Sequence, residues 1–110
     1  MQRRFVQRAR TDFSVRTLEG SLVARCRGIE ISPTGILLDR GRAVTERDAR
    51  LYLHLEISLP ERHRTVRAIA RPVWSFGTQQ ALKFISIDDA DRLTLAEHVD
   101  LAKLRGQMLN

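Results

Sequence analysis

Leu51, Leu53, Leu55, Ile57 and Leu59 alternate with Tyr52, His54, Glu56 and Ser58. This is the cleanest period-two stretch of the chain and predicts a half-buried strand over 51–59, closed by Pro60. The same alternation recurs over 64–74, where Val66, Ala68 and Ala70 oppose Arg67 and Arg71; Pro72 confines the end of that strand to an edge or a bulge. Upstream, Phe13 and Val15 predict a first strand over 12–18, turned by Glu19-Gly20-Ser21. Residues 22–31 predict a second strand with an irregularity at Gly28, where the apolar phase moves from Leu22, Ala24 and Cys26 to Ile29 and Ile31. Pro33-Thr34-Gly35 reads as a turn, with Gly35 free to take positive φ. A short strand over 36–39, a polar loop over 40–50, a Gly77 turn and a last strand over 81–87 follow. After Ser86 the period changes. Asp88 or Asp89 can cap a helix whose apolar stripe is Leu95, Val99 and Ala102, ended by Gly106.

Six short strands and then one helix predict an all-β domain with a C-terminal helix: a six-stranded antiparallel β-barrel with the helix beside it or across one mouth. The 110 residues hold one domain, divided into a basic arm (1–11), the barrel (12–87) and the helix (88–110). No apolar run approaches the ~20 residues of a membrane span and the N-terminus has no apolar leader, so the expectation is a cytoplasmic protein without membrane insertion. Cys26 stands alone, which excludes an internal disulfide or a thiolate zinc site and reads as a buried thiol. The three histidines, His54, His63 and His98, are not at metal-ligand spacing and read as surface residues.

Charge sharpens the picture. The net charge is +6, carried by 17 arginines and only 2 lysines. Arginine's planar fork suits bidentate contacts to phosphate and guanine, although a GC-rich genome gives the same bias without any such use. The arm is more telling: Arg3, Arg4, Arg8 and Arg10 lie within ten residues that contain no carboxylate. Arg4-x-x-x-Arg8 has little weight by itself, because this many arginines give ~2.5 such pairs by chance, and Arg67-x-x-x-Arg71 is another. Its place directly before the first strand sets it apart. Glu30-Ile-Ser32-Pro-Thr-Gly35 follows: a carboxylate acceptor, a hydroxyl donor and a glycine that lets backbone and ligand approach.

In that order the two motifs resemble the signature of the PilZ-domain family, Arg-x-x-x-Arg followed by Asp/Asn-x-Ser-x-x-Gly. Further similarity runs through Arg8-Ala-Arg-Thr-Asp-Phe-Ser-Val15, Gly35-Ile-Leu-Leu, Ala70-Arg-Pro-Val-Trp74 and Leu82-Lys-Phe84, nearly the whole chain. The resemblance implies a PilZ-type barrel and a bacterial receptor for cyclic di-guanosine monophosphate (cyclic di-GMP), with no other cofactor. Arg4 and Arg8, assisted by Arg3 or Arg10, would clamp phosphates and guanine edges; Glu30, Ser32 and Gly35 would form the floor, and Trp74 could stack on a base. Ordering of the arm would then change the surface offered to a protein effector, by a monomer or a homodimer. Glu30 departs from the family's aspartate or asparagine. It keeps the acceptor but adds a methylene, a mismatch of order ~1–3 kcal/mol. The alternative is therefore a PilZ-fold interaction module with weak or no dinucleotide binding. Nucleic acid is a poorer partner, since only 6 aromatics are available for stacking. No carboxylate pair, Ser/His/Asp set or phosphate loop suggests an enzyme.

Overall fold

The computed structural model describes residues 8–19, 21–60, 64–105 and 108–109. The elements are β1 (Arg8–Glu19), β2 (Leu22–Ser32), β3 (Gly35–Asp39), β4 (Leu53–Ser58), β5 (Val66–Phe76), β6 (Gln79–Ile87), α1 (Asp89–Leu104) and a two-residue β7 (Met108–Leu109). Strands neighbour one another in the order β2-β3-β6-β5-β4-β1, every pair antiparallel, and pairing of β1 with β2 closes the ring. The expected six-stranded barrel with one C-terminal helix is thus what the chain forms, and closure leaves no long edge to pair with another chain.

The alternation that predicted the strands fills the barrel. Leu53, Leu55 and Ile57 of β4 are buried between exposed or half-buried His54, Glu56 and Ser58. Val15, Leu38, Val66, Ala70 and Leu82 meet them from the other strands. One mouth is closed by α1. Leu95, Val99 and Ala102 enter the core from it, and Asp91 ties its first turn to β5 by accepting from the Arg67 N–H at 3.3 Å and pairing with Arg64 at 3.0 Å. Asp88 occupies the N-cap position without a side-chain cap bond; Asp89 and Asp91 place negative charge in the first turn, where the helix dipole favours it. His98 corrects its reading as a surface residue. It is buried, with its ring edge-on to Phe13 at 6.5 Å between centroids, so the apolar face of the helix is wider than three residues. His54 is exposed as expected, and His63 lies outside the described residues.

The opposite mouth is closed by charge. Arg40, its side chain 1% exposed, donates to Gln80 Oε1 at 2.8 Å and Glu19 Oε2 at 3.4 Å, and lies 3.7 Å from Asp48. Asp48 accepts both Nη groups of Arg42, at 2.6 and 3.0 Å, and the Thr45 N–H at 2.8 Å. The Arg42 guanidinium holds the Asp48 carboxyl far below the usual carboxylate range, against the upward push of burial. The segment expected as a plain polar loop therefore contains a buried arginine and a 3-10 turn at Asp48–Arg50. Nearby, burial pushes the Cys26 thiol up, with Arg40 opposing it.

Strand limits differ from the expected ones: β4 spans Leu53–Ser58 rather than 51–59, β5 spans Val66–Phe76 rather than 64–74, and β6 begins at Gln79 rather than at 81. β1 begins at Arg8 rather than at 12, because Ala9 and Arg10 pair with Ile31 and Glu30 of β2. β7 was not foreseen; it sets Leu109 opposite Arg8 and Met108 opposite Ala9. Gly106, expected to end the helix, lies outside the described residues. Among the described residues no helix is long and apolar enough to cross a membrane.

Candidate functional site

Two interruptions of strand register decide which side chains face outward. In β2, Cys26 and Gly28 point into the barrel, and strict alternation would send Glu30 after them. The register of β2 on β3 slips between Gly28 and Glu30, leaving Ile29 as an extra residue; Ile31 then turns inward and Glu30 outward. Gly28 is required here because an added Cβ would run into the ring of Phe13, which lies against it. In β5, Val66, Ala68 and Ala70 face inward, and the slip between Pro72 and Trp74 leaves Val73 as the extra residue. Trp74 is thereby turned out, 51% exposed, opposite Ala81.

The two bulges aim at one place. Glu30 pairs with Leu37, Leu37 with Ala81, and Ala81 with Trp74, a single outward row across β2, β3, β6 and β5. Register sets Arg10 of β1 opposite Glu30 at the end of this row. Ser32 and Gly35 form the next outward pair, followed across the sheet by Lys83 and Arg71. Glu30, Ser32, Gly35 and Trp74 line an open groove of about 170 Å³ with Leu37 and Ala81 as its apolar floor. Four of the expected site residues are therefore brought together. Arg8 and Arg10 lie on β1, and Arg3 and Arg4 lie outside the described residues.

At the groove's edge the Ser32 hydroxyl builds the turn. It accepts from the N–H groups of Thr34 and Gly35, both at 3.2 Å, and shares a hydrogen bond with the Thr34 hydroxyl at 3.2 Å. Its proton points to the Gly35 carbonyl at 3.5 Å or to the Thr34 hydroxyl, so the buried hydroxyl is spent first on the turn. The Thr34 carbonyl accepts from the Phe84 N–H at 2.9 Å, which fixes the turn against β6. Gly35 corrects the expectation made for it. Its φ is not positive, unlike Gly41 at 76° and Gly77 at 61°. It is needed because a Cβ there would come 2.5 Å from the Leu82 carbonyl oxygen. Only glycine lets β3 lie this close to β6 behind the groove.

A larger groove, about 340 Å³, opens on the wall made by β4, β5 and β6, between His54, Ile69, Ser86 and Asp88. Its charges answer one another: Glu56 lies 2.9 Å from Arg16 and 3.7 Å from Arg67. The smaller groove has the better chemistry, with an acceptor, a hydroxyl donor, an exposed indole and an apolar floor converging. At about 170 Å³ it is below the ~300–1,000 Å³ of an enclosing small-molecule pocket, so it can seat only part of a ligand of nucleotide size. The floor residues Leu37 and Ala81 and the placement of Arg10 carried no sequence signal of their own, since strand register is what reveals them.

No family model and no curated protein matches the sequence. Solved structures do match its fold. The Bacillus subtilis inhibitor of motility (MotI/DgrA) is similar with a TM-score of 0.77 and 22% identity over 96% of this chain, which spans about half, 53%, of that protein. The PilZ domain of YcgR from Escherichia coli, solved with c-di-GMP, is similar with a TM-score of 0.72 and 13% identity, covering 96% of this chain and 95% of that one. With a closed six-stranded antiparallel barrel, a C-terminal helix and a match over almost the full length of both chains, this chain has the fold of a PilZ domain.

Proposed function

We propose that the chain is a receptor for cyclic di-GMP that signals to a protein partner. The observation that carries this reading is the pair of bulges that turn Glu30 and Trp74 to the two ends of one groove, with Ser32 and Gly35 at its edge. The PilZ domain of similar fold was solved with this dinucleotide, which supports the choice of ligand. One guanine lies in the groove with its face on Trp74 and its donor edge toward the Glu30 carboxylate, and the Ser32 hydroxyl gives up its long bond to the Gly35 carbonyl to donate to a ligand oxygen. The groove holds only part of such a molecule, and the acid-free segment around Arg4 and Arg8, with Arg3 and Arg10, supplies guanidiniums for the phosphates and for the guanine O6 and N7 acceptors. Ordering on the ligand of the part of that segment that precedes β1 changes the face presented to an effector.

A second reading rests on Glu30. Its extra methylene occupies space in a groove that is already small, which favours an interaction module of the same fold that binds the dinucleotide weakly or not at all. Trp74 is the chain's single tryptophan and stands half exposed in the groove, so its fluorescence reports occupancy. Cyclic di-GMP is expected to quench it saturably, and Glu30→Asp to do so at lower ligand concentration. No change in the parent together with saturable quenching in Glu30→Asp supports the second reading. No change in either protein contradicts the receptor reading.

A further inference from the structure

Beside the groove, Lys83 of β6 and Arg71 of β5 are direct cross-strand partners on the outer face, and both are exposed. Like charges placed directly opposite one another destabilise a sheet. Elsewhere the barrel relieves such a pair: Arg16 lies opposite Arg25, and Glu56 pairs with Arg16 at 2.9 Å. Neither Lys83 nor Arg71 has an ion-pair partner among the described residues, and the Arg27 and Asp39 charges of the same wall pair with each other at 3.7 Å. On its other side Lys83 faces Gly35, which has no side chain to cover it. Lysine is also the exception in a chain with 17 arginines and 2 lysines. A compact ammonium beside a guanidinium, left unneutralised in the row next to Glu30 and Trp74, is a place for an anion.

We infer that Lys83 and Arg71 form a fixed anion seat on the barrel wall that takes a phosphodiester of the molecule lying in the groove. The inference rests on the receptor reading and adds to it. The wall itself, and not only the N-terminal arginines, holds a phosphate, so the ligand runs from Trp74 and Glu30 toward Arg71 and Lys83. Recognition is then divided between a rigid half and the arm.

The test is a calorimetric titration with cyclic di-GMP of the parent, of the double variant Lys83→Gln/Arg71→Gln, and of Arg8→Ala, at about 50 mM and about 300 mM salt. The double variant is expected to bind about tenfold more weakly at low salt, with a much smaller difference at high salt. Without ligand it is expected to melt at or above the parent's temperature, because a repulsion has been removed. If the parent binds, Arg8→Ala weakens binding and the double variant matches the parent at both salt concentrations, the receptor reading stands and the inference is overturned. A parent that does not bind removes both. A single-stranded oligonucleotide run in parallel separates the two sources of a phosphodiester: binding it as tightly as the dinucleotide overturns the assignment.

Discussion

Three residues near the groove owe their identity to close approach. Gly35 has the Leu82 carbonyl where a Cβ would go, and Gly28 has the Phe13 ring. That ring is itself confined, buried and edge-on to His98. Gly35→Ala is expected to lower stability by about 2 kcal/mol, because backbone rather than a side chain must yield; urea denaturation measures it. Gly28→Ala is expected to cost as much and also to disturb binding, since it sits in the bulge that aims Glu30. Trp74→Ala, in contrast, touches exposed surface. It is expected to leave the urea midpoint within ~0.5 kcal/mol of the parent's while weakening cyclic di-GMP by about tenfold or more, the value of one base stack. Cys26 is buried and its thiol is pushed up by that burial, so it is expected to resist thiol reagents until the barrel unfolds.

At the scale of elements, the bulges show where sequence reading succeeds and where it stops. The phase change at Gly28 and the proline at 72 both marked an interruption of period two, and both interruptions are present. That they turn Glu30 and Trp74 onto one row was not legible, because the row depends on how four strands register, a long-range property absent from local pattern. The composition of the stretch after β3 predicts a polar loop, yet it contributes Arg40 to a buried network. The network answers to acid. Arg42 holds the Asp48 carboxyl below the value of about 3.8 it has in an unfolded chain, so its stabilisation is complete above about pH 5 and is lost as pH falls further. Asp48→Asn is expected to lower stability at neutral pH by about 2–3 kcal/mol, since the Arg40 side chain beside it is 1% exposed. It is also expected to flatten the decline in stability from about pH 5 to about pH 2, which urea midpoints across that range record.

For the whole molecule, the barrel divides its labour between ends and wall. One mouth is shut by α1 and the other by the Arg40 network, and the groove lined by Glu30, Ser32, Gly35 and Trp74 opens on the outer wall of β2, β3, β6 and β5. The succession of six strands and a closing helix is legible in the apolar period and its change after Ser86, whereas the order in which the strands pair is not, and the likeness to a PilZ domain runs across nearly the full chain. The pocket itself was readable only as a set of residue types, Glu30, Ser32, Gly35 and Trp74, whose meeting had to be seen. On the receptor reading, this groove and the N-terminal arginines bind cyclic di-GMP together. Isothermal titration calorimetry of the parent against Arg8→Ala tests it most directly. Saturable binding by the parent, weakened at least tenfold in Arg8→Ala, is the predicted result; no heat of binding in the parent, or equal affinity in the two proteins, would contradict it.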